Sequence, residues 1–139
     1  GDRLEAGEFK FVFVLGSNPV VTLPNQSAVR KGLNRKDVFV VAHATHWSET
    51  TEYANVVLPA PTYLEKRDVN FSDHHLYSRL SEQTVEPLGE SKHEIWVMQE
   101  LAKKLDRKEK WLFEDPWKAL QETLTESYQE GDLQDVLDG

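Results

Sequence analysis

The stretch from Val38 to Lys66 constrains the fold of this chain more than any other. Two short apolar runs, Val38–Ala42 and Asn55–Leu58, each lead into a loop rich in polar side chains. Such short runs are typical of strands that are buried on both faces. Pro59 is expected to end the second strand, because proline has no N–H to give to a neighbouring strand. Ligands bind beyond the carboxyl ends of parallel strands, so we expect one wall of a site here.

The residues before this stretch complete a β-α-β unit. Phe9–Leu15 is predicted to form a strand that stops at the turn Gly16–Pro19. Either Asn25 or Ser27 can cap the helix predicted over Gln26–Leu33. A strand, a helix and a strand within about 35 residues indicate two parallel strands joined by a helical crossover. The predicted fold class is therefore α/β with a mainly parallel sheet.

The second half of the chain combines one irregular segment with two helices. Tyr63–Glu82 shows no hydrophobic period and is predicted to be a long loop, and its part Tyr63–Arg79 is expected to be the most mobile or most irregular long segment. Ser91 and Glu94 have the spacing of a capping box at the start of a helix predicted over Ser91–Leu105. A second helix is predicted over Pro116–Glu130.

Size and charge exclude several classes of function. A chain of 139 residues with a formal net charge of −8 supports one domain, 1–139, and argues against a nucleic-acid or anionic membrane partner. The sequence has no cysteine and therefore no disulfide, thiolate nucleophile or iron–sulfur ligand. No run approaches the roughly 20 apolar residues that span a bilayer. We expect a cytoplasmic protein, and the early start of the first strand suits a piece of a longer chain.

The polar residues at the strand ends allow several chemistries. Gly16, Ser17 and Asn18 follow the first strand, where free N–H groups and a hydroxyl can hold a phosphate or a base edge; the alternative is a plain turn. The histidines at 43 and 46 and at 74 and 75 could contribute to a metal site, although ordinary loop histidines fit the same pattern. Three carboxylates near the strand ends have no visible acid–base partner: Glu49, Glu52 and Glu65.

Three segments together resemble the molybdopterin oxidoreductases, which include formate dehydrogenases, nitrate reductases and dimethyl-sulfoxide reductases. The segments are LGSNPV, VFVVAHATHWSETTEYANVVLPAPTYLEK and VEPLGESKHEIWVMQELAKKL. They match family motifs in order and at similar spacing over most of residues 9–105. The resemblance implies a three-layer, Rossmann-like part of a large catalytic subunit that binds molybdopterin guanine dinucleotide.

The resemblance also implies which residues contact this cofactor. The matching positions are the loop residues Gly16, Ser17 and Asn18, the strand-end pair Ala42 and His43, and the charged residues Lys66 and Glu94. The Lys66 ammonium would face a diphosphate, and Glu94 would accept from a guanine N–H edge, unless it serves only as a helix cap. The sequence departs from the family pattern at three places: His43 and Asn55 each replace an aspartate, and Arg67-Asp68 replaces a glycine.

The implied whole enzyme carries two such dinucleotides with molybdenum or tungsten. Its metal ligand and its iron–sulfur cysteines have no counterpart here, so we expect no catalysis by this chain alone. Residues 9–105 would form the cofactor-binding core and 106–139 a helical extension. The implied partners are the remaining domains of the subunit and iron–sulfur electron-transfer subunits. Two alternatives are a scaffold related to the large iron–sulfur subunit of respiratory NADH dehydrogenase and a stand-alone nucleotide-binding module.

Overall fold

The computed structural model of the protein describes residues 1–71 and 78–127. Within these residues the strands are β1 Phe11–Leu15, β2 Phe39–Ala44, β3 Val56–Pro59, β4 Asp68–Phe71 and β5 Ser78–Ser81. The helices are α1 Asp2–Glu5, α2 Pro19–Thr22, α3 Gln26–Leu33, α4 Glu94–Lys104 and α5 Pro116–Ser127, with 3-10 turns at Thr51–Tyr53 and Lys110–Phe113. The chain divides into two compact units, 1–61 with 89–94, and the described residues of 62–88 and 95–139.

The first unit is built on a parallel sheet with the strand order β1-β2-β3. Leu15 of β1 pairs with His43 of β2, and His43 pairs in turn with Leu58 of β3. All three strands therefore end at the same edge of the sheet. The α/β class and the parallel sheet predicted from the sequence are confirmed.

Strand β3 continues one residue beyond its predicted end. Pro59 is the last residue of the strand, as expected, although it still pairs with Ala44 and so belongs to the ladder. The Ala44 carbonyl takes its hydrogen bond from the N–H of Ala60 at 3.0 Å, so the ladder does not need an N–H from the proline. Strand β2 also runs further than predicted and includes His43 and Ala44.

Helix α3 has the predicted bounds and carries the core against one face of the sheet. Asn25 caps it, accepting a hydrogen bond from the Ala28 N–H at 3.4 Å. Gly32 allows helix α1 to approach closely, since a Cβ there would lie 2.5 Å from the Leu4 Cγ. The buried cluster consists of Val20, Val29, Leu33, Val38 and Val40. Burial of each such side chain contributes about 1.5–3 kcal/mol, which is what fixes the helical layer on the sheet.

The second unit contains an antiparallel hairpin where the sequence analysis predicted a loop. Strands β4 and β5 pair from Asp68 with Ser81 to Phe71 with Ser78. The prediction of a long loop over Tyr63–Glu82 was therefore wrong at both strands. Residues 72–77 lie outside the described residues, and the expected mobility of the segment stays a prediction.

Both helices predicted for the second half of the chain are present, but the first begins later than predicted. Helix α4 begins at Glu94, and the predicted capping box does not form, because the buried Ser91 hydroxyl has no hydrogen bond to any described residue. Helix α5 begins at Pro116 as predicted, and Asp115 caps it by accepting from the N–H groups of Trp117 and Lys118 at 2.9 and 3.0 Å. The predicted end of α5 near Glu130 lies outside the described residues.

Candidate functional site

The loop after β1 and the end of β2 lie together at the carboxyl edge of the sheet. The Gly16 N–H donates to the His43 carbonyl at 3.1 Å, one residue beyond the pairing of Leu15 with His43. The Gly16–Asn18 loop and the Ala42-His43 pair therefore share one edge of the sheet. The edge is the place where an open α/β sheet binds ligands.

The loop itself presents hydrogen-bond donors that the protein does not use. Gly16 has φ +55°, and a Cβ at this position would have no atom within 4 Å, so the loop is open on this side. Ser17 is exposed, and neither its N–H nor its hydroxyl bonds to any residue that the structure describes. Such a loop can hold a ligand that brings its own acceptor atoms.

Hydrogen bonds to its carbonyl and to its side-chain oxygen hold Asn18 in place. Its carbonyl accepts from the N–H groups of Val21 and Thr22 at 3.0 and 2.9 Å, at the start of α2. Its side-chain oxygen Oδ1 accepts a hydrogen bond from the hydroxyl of Thr50. Thr50 is buried, and its Oγ1 in turn accepts from the Val20 N–H at 3.2 Å. The Asn18 Nδ2 has no partner within residues 1–71 and 78–127 and is left as a donor.

The side chain of His43 faces the interior and not the open edge. It is 0% exposed, and its Nε2 lies 2.8 Å from the Lys92 carbonyl. A carbonyl can only accept, so Nε2 carries the proton and Nδ1 is left with no hydrogen-bond partner in the described part of the chain. Ala42, the neighbouring candidate, is also buried. The structure therefore places both residues at the predicted edge but turns the imidazole away from solvent.

Glu94 lies in the first unit, at the end of the segment that His43 anchors. The Lys92 N–H donates to the Pro59 carbonyl at 3.1 Å, so Lys92 is bonded to the ends of both β2 and β3. Two residues later, the Glu94 Oε2 lies 3.5 Å from the His93 Nδ1, and both side chains are partly buried. The Gly89–Glu94 segment thus belongs to the same unit as the Ser17-Asn18 loop.

Lys66 lies in the second unit, where its ammonium already has a partner. Its side chain is 16% exposed and its Nζ lies 3.0 Å from the Asp68 Oδ2. Glu65 fixes the preceding turn, with its two carboxylate oxygens accepting from the N–H groups of Thr62 and Leu88 at 2.7 and 2.8 Å. These bonds, with that from Thr62 the stronger, hold the pKa of Glu65 below its ordinary value.

The departures from the family pattern are used inside the fold. Asn55 makes two hydrogen bonds to Val40. Its N–H donates to the Val40 carbonyl at 2.8 Å, and its Oδ1 accepts from the Val40 N–H at 2.7 Å. Arg67 lies over the Trp117 ring at 4.2 Å from its centroid and pairs with Glu82 at 3.1 Å. Each replacement residue therefore has a structural contact of its own.

The remaining sequence candidates do not form a second centre within the described residues. Glu49 accepts from the Arg30 guanidinium, and Glu52 is exposed. His46 is exposed whereas His43 is buried, and His74 and His75 lie outside the described residues. No group of three or more histidines and carboxylates of the described chain is arranged to hold a metal ion. No helix in the same residues is long and apolar enough to cross a membrane.

Sequence reasoning missed Thr50 as part of the site. From the sequence, Ser48 or Thr50 is expected only to cap a short helical stretch after β2. Thr50 precedes the 3-10 turn and makes no capping bond; its hydroxyl bonds a residue 32 positions away. A contact over that separation has no local sequence signal.

Comparison with known proteins matches this arrangement to one family. The family model described as Molybdopterin oxidoreductase matches residues 2–104. The chain belongs to the molybdopterin oxidoreductase family. Members of this family use a molybdopterin cofactor with molybdenum or tungsten.

Individual relatives are much longer than this chain. It is 41% identical over 91 residues to the probable oxidoreductase YoaE of Bacillus subtilis, covering 66% of this chain and 13% of YoaE. It is 35% identical over 102 residues to the F420-dependent formate dehydrogenase subunit alpha of Methanocaldococcus jannaschii, covering 73% of this chain and 15% of that subunit.

A solved structure is likewise similar to this chain over a small part of its own length. Acetylene hydratase from Pelobacter acetylenicus superimposes with a TM-score of 0.63 at 33% identity, covering 78% of this chain and 14% of the hydratase. The chain therefore spans about one-seventh of the length of the relatives that it matches. The chain matches one segment of each of these larger proteins.

Proposed function

We propose that this chain binds the guanine nucleotide end of molybdopterin guanine dinucleotide within a larger, formate dehydrogenase-like oxidoreductase. The observation that carries the proposal is the set of unpaired donors on Ser17 and Asn18 at the carboxyl edge of the sheet. Phosphate and base oxygens are acceptors, so their chemistry fits this donor set. Bound there, the cofactor supplies the metal centre at which the redox chemistry takes place.

The other candidate residues take distinct roles in this proposal. Glu94 accepts from guanine N–H groups, and the Lys66 ammonium binds the diphosphate by exchanging its Asp68 partner for a phosphate oxygen. Ala42 and His43 shape the edge without exposing their side chains, and the imidazole anchors the segment that leads to Glu94.

The proposal assigns no catalytic residue to this chain. The sequence has no cysteine, so a thiolate ligand for the metal would have to come from another part of the enzyme. We propose the remaining domains of the same subunit as its immediate partners, iron–sulfur subunits as electron-transfer partners, and the cytoplasm as its compartment. Alone, the chain would have no oxidoreductase activity.

Calorimetric titration of the 139-residue chain with guanosine diphosphate tests the proposal. We expect saturable one-to-one binding that adenosine diphosphate does not reproduce at the same concentration. Ser17→Ala should weaken the binding about fivefold, because it removes one hydrogen bond worth about 1 kcal/mol. Ser27→Ala is the matched control, since Ser27 is an exposed serine on α3, and it should bind like the parent chain.

The same titration separates the alternatives. A scaffold that retains only the fold would bind neither nucleotide, and this result would overturn the proposal. A general nucleotide-binding module would bind the adenine and guanine nucleotides equally. Binding that Ser17→Ala and Ser27→Ala weaken to the same extent would remove the proposed site from the β1 loop.

A further inference from the structure

The orientation of the Asn18 side-chain amide depends on one buried hydroxyl. Thr50 is 1% exposed, and its Oγ1 accepts from the Val20 N–H at 3.2 Å. Because this oxygen already receives a hydrogen bond, its own proton is available to an acceptor, and it goes to the Asn18 Oδ1. The carboxamide oxygen therefore points into the protein and the amide nitrogen points away from Thr50.

The position of Thr50 is itself fixed by its neighbours. The Ser48 N–H donates to the Thr51 hydroxyl oxygen at 2.8 Å, and that hydroxyl donates back to the Ser48 carbonyl at 2.7 Å. Thr51 is also buried, at the start of the 3-10 turn. The backbone on either side of Thr50 is thus closed by a local pair of bonds, and its hydroxyl has little freedom to turn elsewhere.

We propose that Thr50 is a positioning residue that presents the Asn18 side chain at the Ser17-Asn18 loop as a donor only, so that this side chain selects acceptor oxygens. A free asparagine amide offers an acceptor as well as two donors, and it could bind either kind of ligand edge. With Oδ1 held by Thr50, the loop offers the Ser17 and Asn18 N–H groups, the Ser17 hydroxyl and the Asn18 Nδ2. The inference rests on the proposed nucleotide function and specifies it: the Asn18 amide binds the diphosphate or a base carbonyl, and not the N–H edge of guanine.

Nuclear magnetic resonance titration of the ¹⁵N-labelled 139-residue chain tests this inference with two separate probes. Inorganic pyrophosphate carries only the diphosphate oxygens, and guanosine carries only the base and sugar. We expect pyrophosphate to shift the backbone signals of Ser17 and Asn18 and the Asn18 side-chain NH₂ signal. If guanosine alone shifts them together with the Asn18 NH₂ signal, the acceptor is the base carbonyl and the Asn18 amide still acts as a donor only; guanosine shifts that leave the NH₂ signal unchanged would overturn the inference.

Variants at both ends of the bond separate positioning from packing. Thr50→Val keeps the shape but removes the hydroxyl, and it should weaken binding of the active probe about tenfold, the equivalent of about 1.4 kcal/mol. Thr50→Ser restores the hydroxyl and should recover binding to within about twofold, which a purely packing role of the threonine methyl would not allow. Asn18→Asp keeps an acceptor for Thr50 but replaces the exposed donors with a carboxylate oxygen, and it should abolish binding even if Thr50→Val does not fold.

Three further results would overturn the inference: no probe shifts the loop signals, Thr50→Val binds like the parent chain, or Asn18→Asp retains binding. Failure of the proposed function has a different signature. Pyrophosphate that shifts the loop without any binding of guanosine diphosphate would support the inference and contradict the nucleotide proposal. Binding of guanosine diphosphate with no shift of the loop signals would support the nucleotide proposal and contradict the inference.

Discussion

The ends of β1 and β2 lie next to each other on one sheet edge, yet they use their polar groups in opposite ways. Beyond β1, the Ser17 N–H and hydroxyl have no bond to any described residue. At the end of β2, the His43 imidazole is fully buried and bonds the Lys92 carbonyl at 2.8 Å. Family resemblance assigns a cofactor contact to both ends. In the structure, the first end is an open loop with unused donors and the second is a closed structural anchor.

Strand register fixes where a residue lies, but it does not fix whether its side chain is buried or exposed. Pairing of Leu15 with His43 brings both ends to the edge. Exposure is then decided by what packs there: the Gly89–Glu94 segment reaches His43 through Lys92, whereas the space beside Gly16 is open. Substitutions at the anchor should therefore change folding stability, and substitutions of the loop side chains Ser17 and Asn18 should change binding.

His43→Ala should have the largest effect on stability. It removes a fully buried ring and its hydrogen bond, and it leaves a cavity, so we expect a loss of about 2–4 kcal/mol in the free energy of unfolding. Urea unfolding measures this loss. His46→Ala is the matched control at an exposed histidine and should change stability by less than about 0.5 kcal/mol. Equal effects of the two variants would remove the distinction between anchor and loop.

Gly16→Ala should have an intermediate effect that comes from the backbone alone. Space for a Cβ is available, but φ +55° is unfavourable for alanine, so we expect a loss of about 1–2 kcal/mol. Gly16→Asn should recover most of it, because asparagine tolerates this region. Thermal unfolding of the two variants gives the comparison, and an asparagine variant no better than the alanine variant would point to a steric cause instead.

Alanine substitution of two residues at helix starts should change the free energy of unfolding by amounts that differ by about 1 kcal/mol, because one side chain makes hydrogen bonds and the other makes none. Asp115 caps α5 with two hydrogen bonds, so Asp115→Ala should cost about 1 kcal/mol. Ser91 is 6% exposed and its hydroxyl bonds no described residue, so Ser91→Ala should be neutral or slightly stabilising. If urea unfolding gives a loss of about 1 kcal/mol for Ser91→Ala, the Ser91 hydroxyl does cap α4, as the sequence predicted.

Glu65 should give the smallest effect, visible as a dependence on pH. The pKa of Glu65 is lowered from 4.5 by the hydrogen bonds from Thr62 and Leu88, so its carboxylate stabilises the fold above that pH. This contribution is lost as the pH falls through the lowered value. The parent chain should therefore be more stable than Glu65→Gln at pH 7, and the difference in urea midpoints should shrink below pH 4.5. A difference that stays constant with pH would show that the charge is not involved.

Much of the first unit could be predicted from the sequence, because its signals are local. Phe9–Leu15 and the helix Gln26–Leu33 correspond to β1 and α3, and the strand-end turn fixed the position of the candidate loop. The hairpin was missed because β4 and β5 have four residues each, too few for a period-two pattern to stand out.

The details of the site depend on contacts between distant residues and could not be predicted. The bond from Thr50 to Asn18 joins positions 32 apart, and that from His43 to Lys92 joins positions 49 apart. Each depends on packing after the sheet has formed. Sequence could therefore place the candidates on one edge, but it could not tell which side chain is buried.

Amide hydrogen exchange with and without guanosine diphosphate tests the division between an open β1 end and a closed β2 end most directly. Without nucleotide, the N–H groups of Ser17 and Asn18 should exchange fast, and that of Lys92, which donates to the Pro59 carbonyl at 3.1 Å, should exchange slowly. With nucleotide, exchange at Ser17 and Asn18 should slow while Lys92 stays unchanged. Unchanged exchange at Ser17 and Asn18, or slowing at Lys92 alone, would contradict the account.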